Sequence, residues 1–120
     1  MHNQRVPNVD AKDVERIVRR DFPDQEYGAV VSLLDEYGAE TWHREHSRVR
    51  IAILKLAHGD LGKLRSALTV AKKDYRDILS PAEYPRYSQR VFGARQLSSD
   101  EEISKIIEED WEQYETWLRG

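Results

Sequence analysis

The amino-acid sequence predicts an all-α fold, a single-domain bundle of five to six helices joined by short turns. Three observations predict it. Apolar residues recur at three- and four-residue steps through most of the chain, no segment shows the apolar–polar alternation of a strand, and several glycines fall where an apolar stripe stops. No internal repeat of solenoid length is visible.

Residues 1–9 are read as a flexible N-terminal arm and residues 10–120 as the helical domain. The first helix is expected to start at Asp10, whose carboxylate can accept from unpaired backbone N–H groups, with Val14, Ile17 and Val18 on one face and Phe22-Pro23 as its stop. Asp24 is expected to cap a second helix bearing Tyr27, Val30, Val31, Leu34 and Tyr37, with Gly38 as a left-handed exit. The third helix is predicted over residues 39–58, with Trp42, His46, Val49, Ile53 and Leu56 on one stripe. Ile51, Ala52, Leu54 and Ala57 widen its apolar surface and make it the central helix. Asp60 then caps a fourth helix striped by Leu61, Leu64, Leu68, Ala71, Tyr75 and Ile78. Ser80-Pro81 reads as a cap and first turn of a short helix that Pro85 interrupts, and residues 93–98 read as a linker. Ser99 with Glu102 forms a capping box for a last helix with Ile103, Ile106, Ile107, Trp111, Tyr114 and Leu118 on its apolar face.

A length of 120 residues with 39% hydrophobic content suits one core, and 34% charged residues keep the surface solvated. No apolar run is long enough to span a bilayer and the first residues lack a secretory pattern, so a cytoplasmic address is expected. The absence of cysteine excludes disulfides, thiolate catalysis and thiolate metal sites. Net charge is only −3, yet residues 43–95 carry a surplus of seven basic groups and residues 96–120 a surplus of six acidic ones. The simplest expectation is that such segments neutralise one another.

Leu54-Lys55-Leu56-Ala57-His58-Gly59-Asp60, Asp74-Tyr75-Arg76-Asp77 and Ala82-Glu83-Tyr84-Pro85 together resemble a family of short bacterial helical proteins of unknown function. The resemblance covers about half of the chain and implies a bacterial cytosolic helical protein, with no activity or catalytic residues to carry over.

The sequence shows no Gly-x-Ser-x-Gly elbow, no phosphate-binding glycine loop and no HExxH pattern, so no catalytic, cofactor or metal residue is assigned. Three alternatives stand beside a non-enzymatic protein-interaction role. Asp74, Asp77 and Glu83 could serve as acid and base if burial raised one of their pKa values, against which stands ordinary ion pairing with Lys72, Lys73 and Arg76 and capping of the following helix. Glu40, His43, His46 and His58 could supply metal ligands, against which stands a part-buried His46 with His43 and His58 on the surface. Helices three and four around Gly59-Asp60 could read nucleic acid, although the fourth spends its stripe on the core and the chain is acidic overall. The favoured site is the interleaved run Tyr84, Arg86, Tyr87, Arg90, Phe92 and Arg95, where aromatic and guanidinium groups suit an unknown protein partner, a second copy included. The competing reading places Tyr84, Tyr87 and Phe92 in the core. Trp117 is expected to be partly exposed and is a candidate dimer contact.

Overall fold

The structure, a computed structural model, describes residues 5–39, 45–93 and 100–120. Over these it forms α1 (Ala11–Asp21), a 3-10 turn (Asp24–Glu26), α2 (Tyr27–Asp35), α3 (His46–Ala57), α4 (Leu61–Lys73), α5 (Arg76–Glu83), α6 (Pro85–Gly93) and α7 (Asp100–Arg119). The all-α class is observed, with no strand among the described residues. The seven α-helices exceed the five to six expected, because the chain breaks at Asp74-Tyr75 and again at Tyr84. No helix among the described residues is long and apolar enough to cross a membrane.

The chain gathers into two compact units, Pro7–Leu79 and Ser80–Gly120, the second including the described N-terminal residues Arg5 and Val6. In Pro7–Leu79 helices start where short-range chemistry lets them. Asp10 accepts from the Lys12 and Asp13 amides at 3.0 and 3.2 Å, while the Asp13 carboxylate takes the Asp10 N–H at 3.1 Å, closing a reciprocal cap on α1. Asp60 accepts from the Lys63 amide at 2.9 Å and starts α4. Asp24 caps nothing: it sits inside the 3-10 turn, whose cap position is Pro23 with no side-chain hydrogen bond.

α3 is the centre of this unit, packing against α1 and α4, while α2 packs on both α1 and α4. Ile51, Ala52, Ile53 and Leu54 are all fully buried, so the helix is enclosed on nearly every side there. Each such Ile or Leu contributes about 1.5–3 kcal/mol by leaving water. The helix begins later than the expected residue 39. Ala39 lies in a bend and Glu45, left-handed at φ 54°, immediately precedes the first helical residue, His46; Trp42 and His43 lie outside the described residues.

The apolar stripe of the fourth helix also divides. Leu64, Ala67, Leu68 and Ala71 are buried on α4, but the helix stops at Lys73 and Asp74 turns extended. Ile78 belongs to α5, and Tyr75 to the turn between the two. The expected start at Ser80-Pro81 is displaced because Asp74 takes the Arg76 amide at 3.0 Å and nucleates α5 one turn sooner, leaving Pro81 in the helix interior. Pro85 instead opens α6, where its missing N–H is no loss.

Two long-range contacts brace this unit. The Arg50 guanidinium donates from Nε to the Leu34 and Tyr37 carbonyls at 3.0 and 3.1 Å and from Nη2 to the Tyr37 carbonyl at 2.6 Å, closing the C-terminal end of α2. Gly38 (φ 117°) follows, and a Cβ there would stand 2.9 Å from Arg50 Nη2. At the end of α3 both His58 (φ 50°) and Gly59 (φ 74°) are left-handed. A Cβ on Gly59 would come within 2.8 Å of the Asp21 carbonyl oxygen, so glycine is required there both for conformation and for space.

In Ser80–Gly120, α6 packs on α7. The expected apolar face of α7 is observed, with Ile103, Ile106, Ile107, Trp111, Tyr114 and Leu118 all buried. Ser99 and residues 94–98 lie outside the described residues, so the expected capping box and linker fall outside the description.

Candidate functional site

The residues singled out in the sequence lie on or beside α6, and local chemistry explains why this helix depends on the rest of its unit. Proline at its first position leaves the Arg86 and Tyr87 amides as the donors to be satisfied, and the preceding residue is Tyr84, which carries no short acceptor side chain. The acceptor comes from α7. Asp110, fully buried, receives the Tyr87 N–H on Oδ2 at 2.8 Å and the Arg86 N–H on Oδ1 at 3.3 Å. A carboxylate at this end also meets the positive pole of the helix dipole.

Beside this cap, Arg86 Nη1 donates to Glu109 Oε1 at 2.6 Å. With side-chain exposures of 60% and 42%, this pair is screened by solvent and orients the guanidinium more than it stabilises the fold. Tyr84 belongs to the interior: it is 4% exposed and its hydroxyl donates to the Arg5 carbonyl at 2.7 Å. Arg5 in turn pairs with Glu108 at 3.0 Å and lies over the Trp111 ring at 5.9 Å, so the N-terminal residues are tied to α7. Tyr87 is half-buried. The side chains of Arg90 and Phe92, and the whole of Arg95, lie outside the described residues. What the structure leaves at the surface from the expected set is therefore Arg86 and Tyr87, while Tyr84 is buried.

Asp110 was not singled out by the sequence reading, yet a signal existed. It stands three residues after Ile107 and four before Tyr114, a carboxylate placed within the apolar stripe of α7. Glu83 carries the same signal on α5, four residues after Leu79, and is 1% exposed.

The other candidates are positioned differently. Asp74 Oδ1 accepts from the Arg76 amide and Nε, both at 3.0 Å, and Oδ2 from Nη2 at 2.9 Å. These hydrogen bonds from Arg76, side chain first and then backbone, hold the Asp74 carboxyl below its ordinary value, the opposite of what a proton donor at neutral pH needs. Asp77 is exposed in the first turn of α5, and Glu83, six residues on, does not share its face. His46 is exposed rather than part-buried and meets Tyr37 edge to face at 6.2 Å, because α3 starts at His46 and leaves it on the rim. His58 is exposed at the end of α3. No group of three or more His, Asp or Glu side chains among the described residues is placed to hold a metal ion.

Comparison with family models, curated proteins and solved structures finds no match. Chemistry must therefore be judged from the side chains alone. The α6 surface offers a directed cation and a partly exposed phenol on a helix whose start is held by a buried carboxylate. Such groups donate hydrogen bonds and stack.

Proposed function

We propose that the chain is a non-enzymatic cytoplasmic interaction module, of the bacterial origin its motifs imply, whose partner-binding surface is built on Arg86 and Tyr87. The observation that carries this reading is the Asp110 cap. By fixing the first turn of α6 it presents a guanidinium and an aromatic ring with little ordering left to do on binding, and Tyr and Arg are the residue types that concentrate interface energy. The enzyme alternative draws less support, since Asp74 has its acceptor atoms occupied by Arg76 and its carboxyl held in the ionised form.

The test is a paired substitution, Arg86→Ala with Tyr87→Ala. A partner that co-purifies with the native chain should be lost from the variant, in keeping with the roughly 2 kcal/mol or more that truncating an interface anchor costs. The thermal unfolding midpoint should change little, because the Asp110 cap uses only the backbone amides of these two residues. Equal recovery of the partner by both proteins rejects this surface.

A further inference from the structure

Within Pro7–Leu79, α4 presents a charged surface of its own. Its buried side is Leu64, Ala67, Leu68 and Ala71, and its exposed side carries Lys63, Arg65, Lys72 and Lys73 with no acidic residue anywhere in Leu61–Lys73. Lys72 pairs with Glu36 at 2.9 Å, while Lys63, Arg65 and Lys73 make no ion pair among the described residues. Val70, 39% exposed, lies among these cations. The mutual neutralisation expected from the charge pattern is thus incomplete on this helix.

The complementary charge is present in the same chain. α7 carries eight acidic and two basic residues. Glu108, Glu109 and Glu115 are engaged by Arg5, Arg86 and Arg119, whereas Glu101 and Glu112 are exposed and have no ion-pair partner among the described residues. Eleven positions apart on one helix, these two glutamates project to nearly the same side about 16 Å from each other; Lys63 and Lys73, ten positions apart, span about 15 Å of α4 and diverge by about 80° across its exposed side.

We propose that the basic face of α4 binds the acidic face of α7 from a second copy of this chain. Two features favour a copy over a nucleic acid. The chain is net negative and repels a polyanion as a whole, whereas another copy supplies a local acidic surface of matching length. Val70 and the Glu36 carboxylate at the edge of the face suit contact with a folded helix better than a phosphate backbone.

The experiment is sedimentation of the purified full chain across concentration. At low salt the average mass rises with concentration, and in about 1 M salt, where charges are screened within about 3 Å, it returns to the monomer. The variant Lys63→Glu/Arg65→Glu/Lys73→Glu, and separately Glu101→Lys/Glu112→Lys, each associate about tenfold or more weakly, while an equimolar mixture of the two variants regains association because the reversed faces complement each other. Circular dichroism of each variant checks that the helices are intact. Arg86→Ala/Tyr87→Ala leaves this self-association unchanged, so failure of the α6 surface and failure of the α4 surface are told apart. A chain that stays monomeric at low salt, reversal variants that associate like the native protein, or a mixture that fails to recover overturns the proposal. So does duplex DNA that binds through Lys63, Arg65 and Lys73 in place of a second copy.

Discussion

The two units of the molecule start their helices by different means. In Pro7–Leu79 the caps are local: Asp10, Asp60 and Asp74 each accept from amides two or three residues ahead. In Ser80–Gly120, α6 is capped by Asp110, whose amide partners lie 23 and 24 residues away. The first unit also centres on an enclosed apolar helix, whereas the second buries two carboxylates, Asp110 and Glu83. A helix with a local cap can form its first turn before it packs. One with a tertiary cap gains its start only when the facing helix is in place, so packing and helix initiation become one event.

That contrast can be strained from either side. The largest effect is expected in the apolar centre: Leu54→Ala should lower the unfolding free energy by about 2–5 kcal/mol, the cost of emptying a fully enclosed site. Denaturant unfolding checks it, and a loss below about 1 kcal/mol would mean that α3 is not the centre of its unit.

An intermediate effect compares the two kinds of cap. Asp60→Ala should cost about 1 kcal/mol, as exposed local caps do. Asp110→Ala should cost about 2–3 kcal/mol, since it strands two partly buried amides and empties a buried position. Hydrogen exchange sharpens the comparison. The Arg86 and Tyr87 amides should lose protection in Asp110→Ala while α3 keeps its own, and equal loss in both units would erase the distinction drawn between them.

The smallest effect concerns Asp74, which is only half-buried and therefore solvent-screened. Its folded carboxyl titrates below the ordinary value of 3.8 because Arg76 hydrogen-bonds the ionised form. The stabilisation is thus complete above that value and disappears as pH falls through the lower folded value. Helicity of α5, followed by NMR, should weaken in that acidic window in the native chain, and Asp74→Asn should flatten the dependence. An Asp74 titration at or above the ordinary value would sink this account.

Much of the architecture was legible in the residues themselves. Asp10 and Asp60 announced their helices, Gly38 and Gly59 marked left-handed exits, and the stripe from Ile103 to Leu118 identified the buried side of α7. These features depend on neighbours within a turn or two, so spacing alone reveals them. The errors came where two local signals competed. Ser80-Pro81 looked like a start, but Asp74 reached an amide first, and an unbroken stripe through Tyr75 and Ile78 concealed the break that Asp74 makes.

The candidate surface was only partly readable. Its arginine and tyrosine were visible as a composition, but which aromatic would be buried and what would hold the helix could not be read from spacing. The sequence by itself determined the helical periods, the local caps and the separation of basic from acidic segments. Only the tertiary structure decided that Asp110 would start α6, that Arg50 would close α2 and that Tyr84 would reach Arg5, because each joins groups 13 or more residues apart, brought within hydrogen-bond reach by the packing of helices.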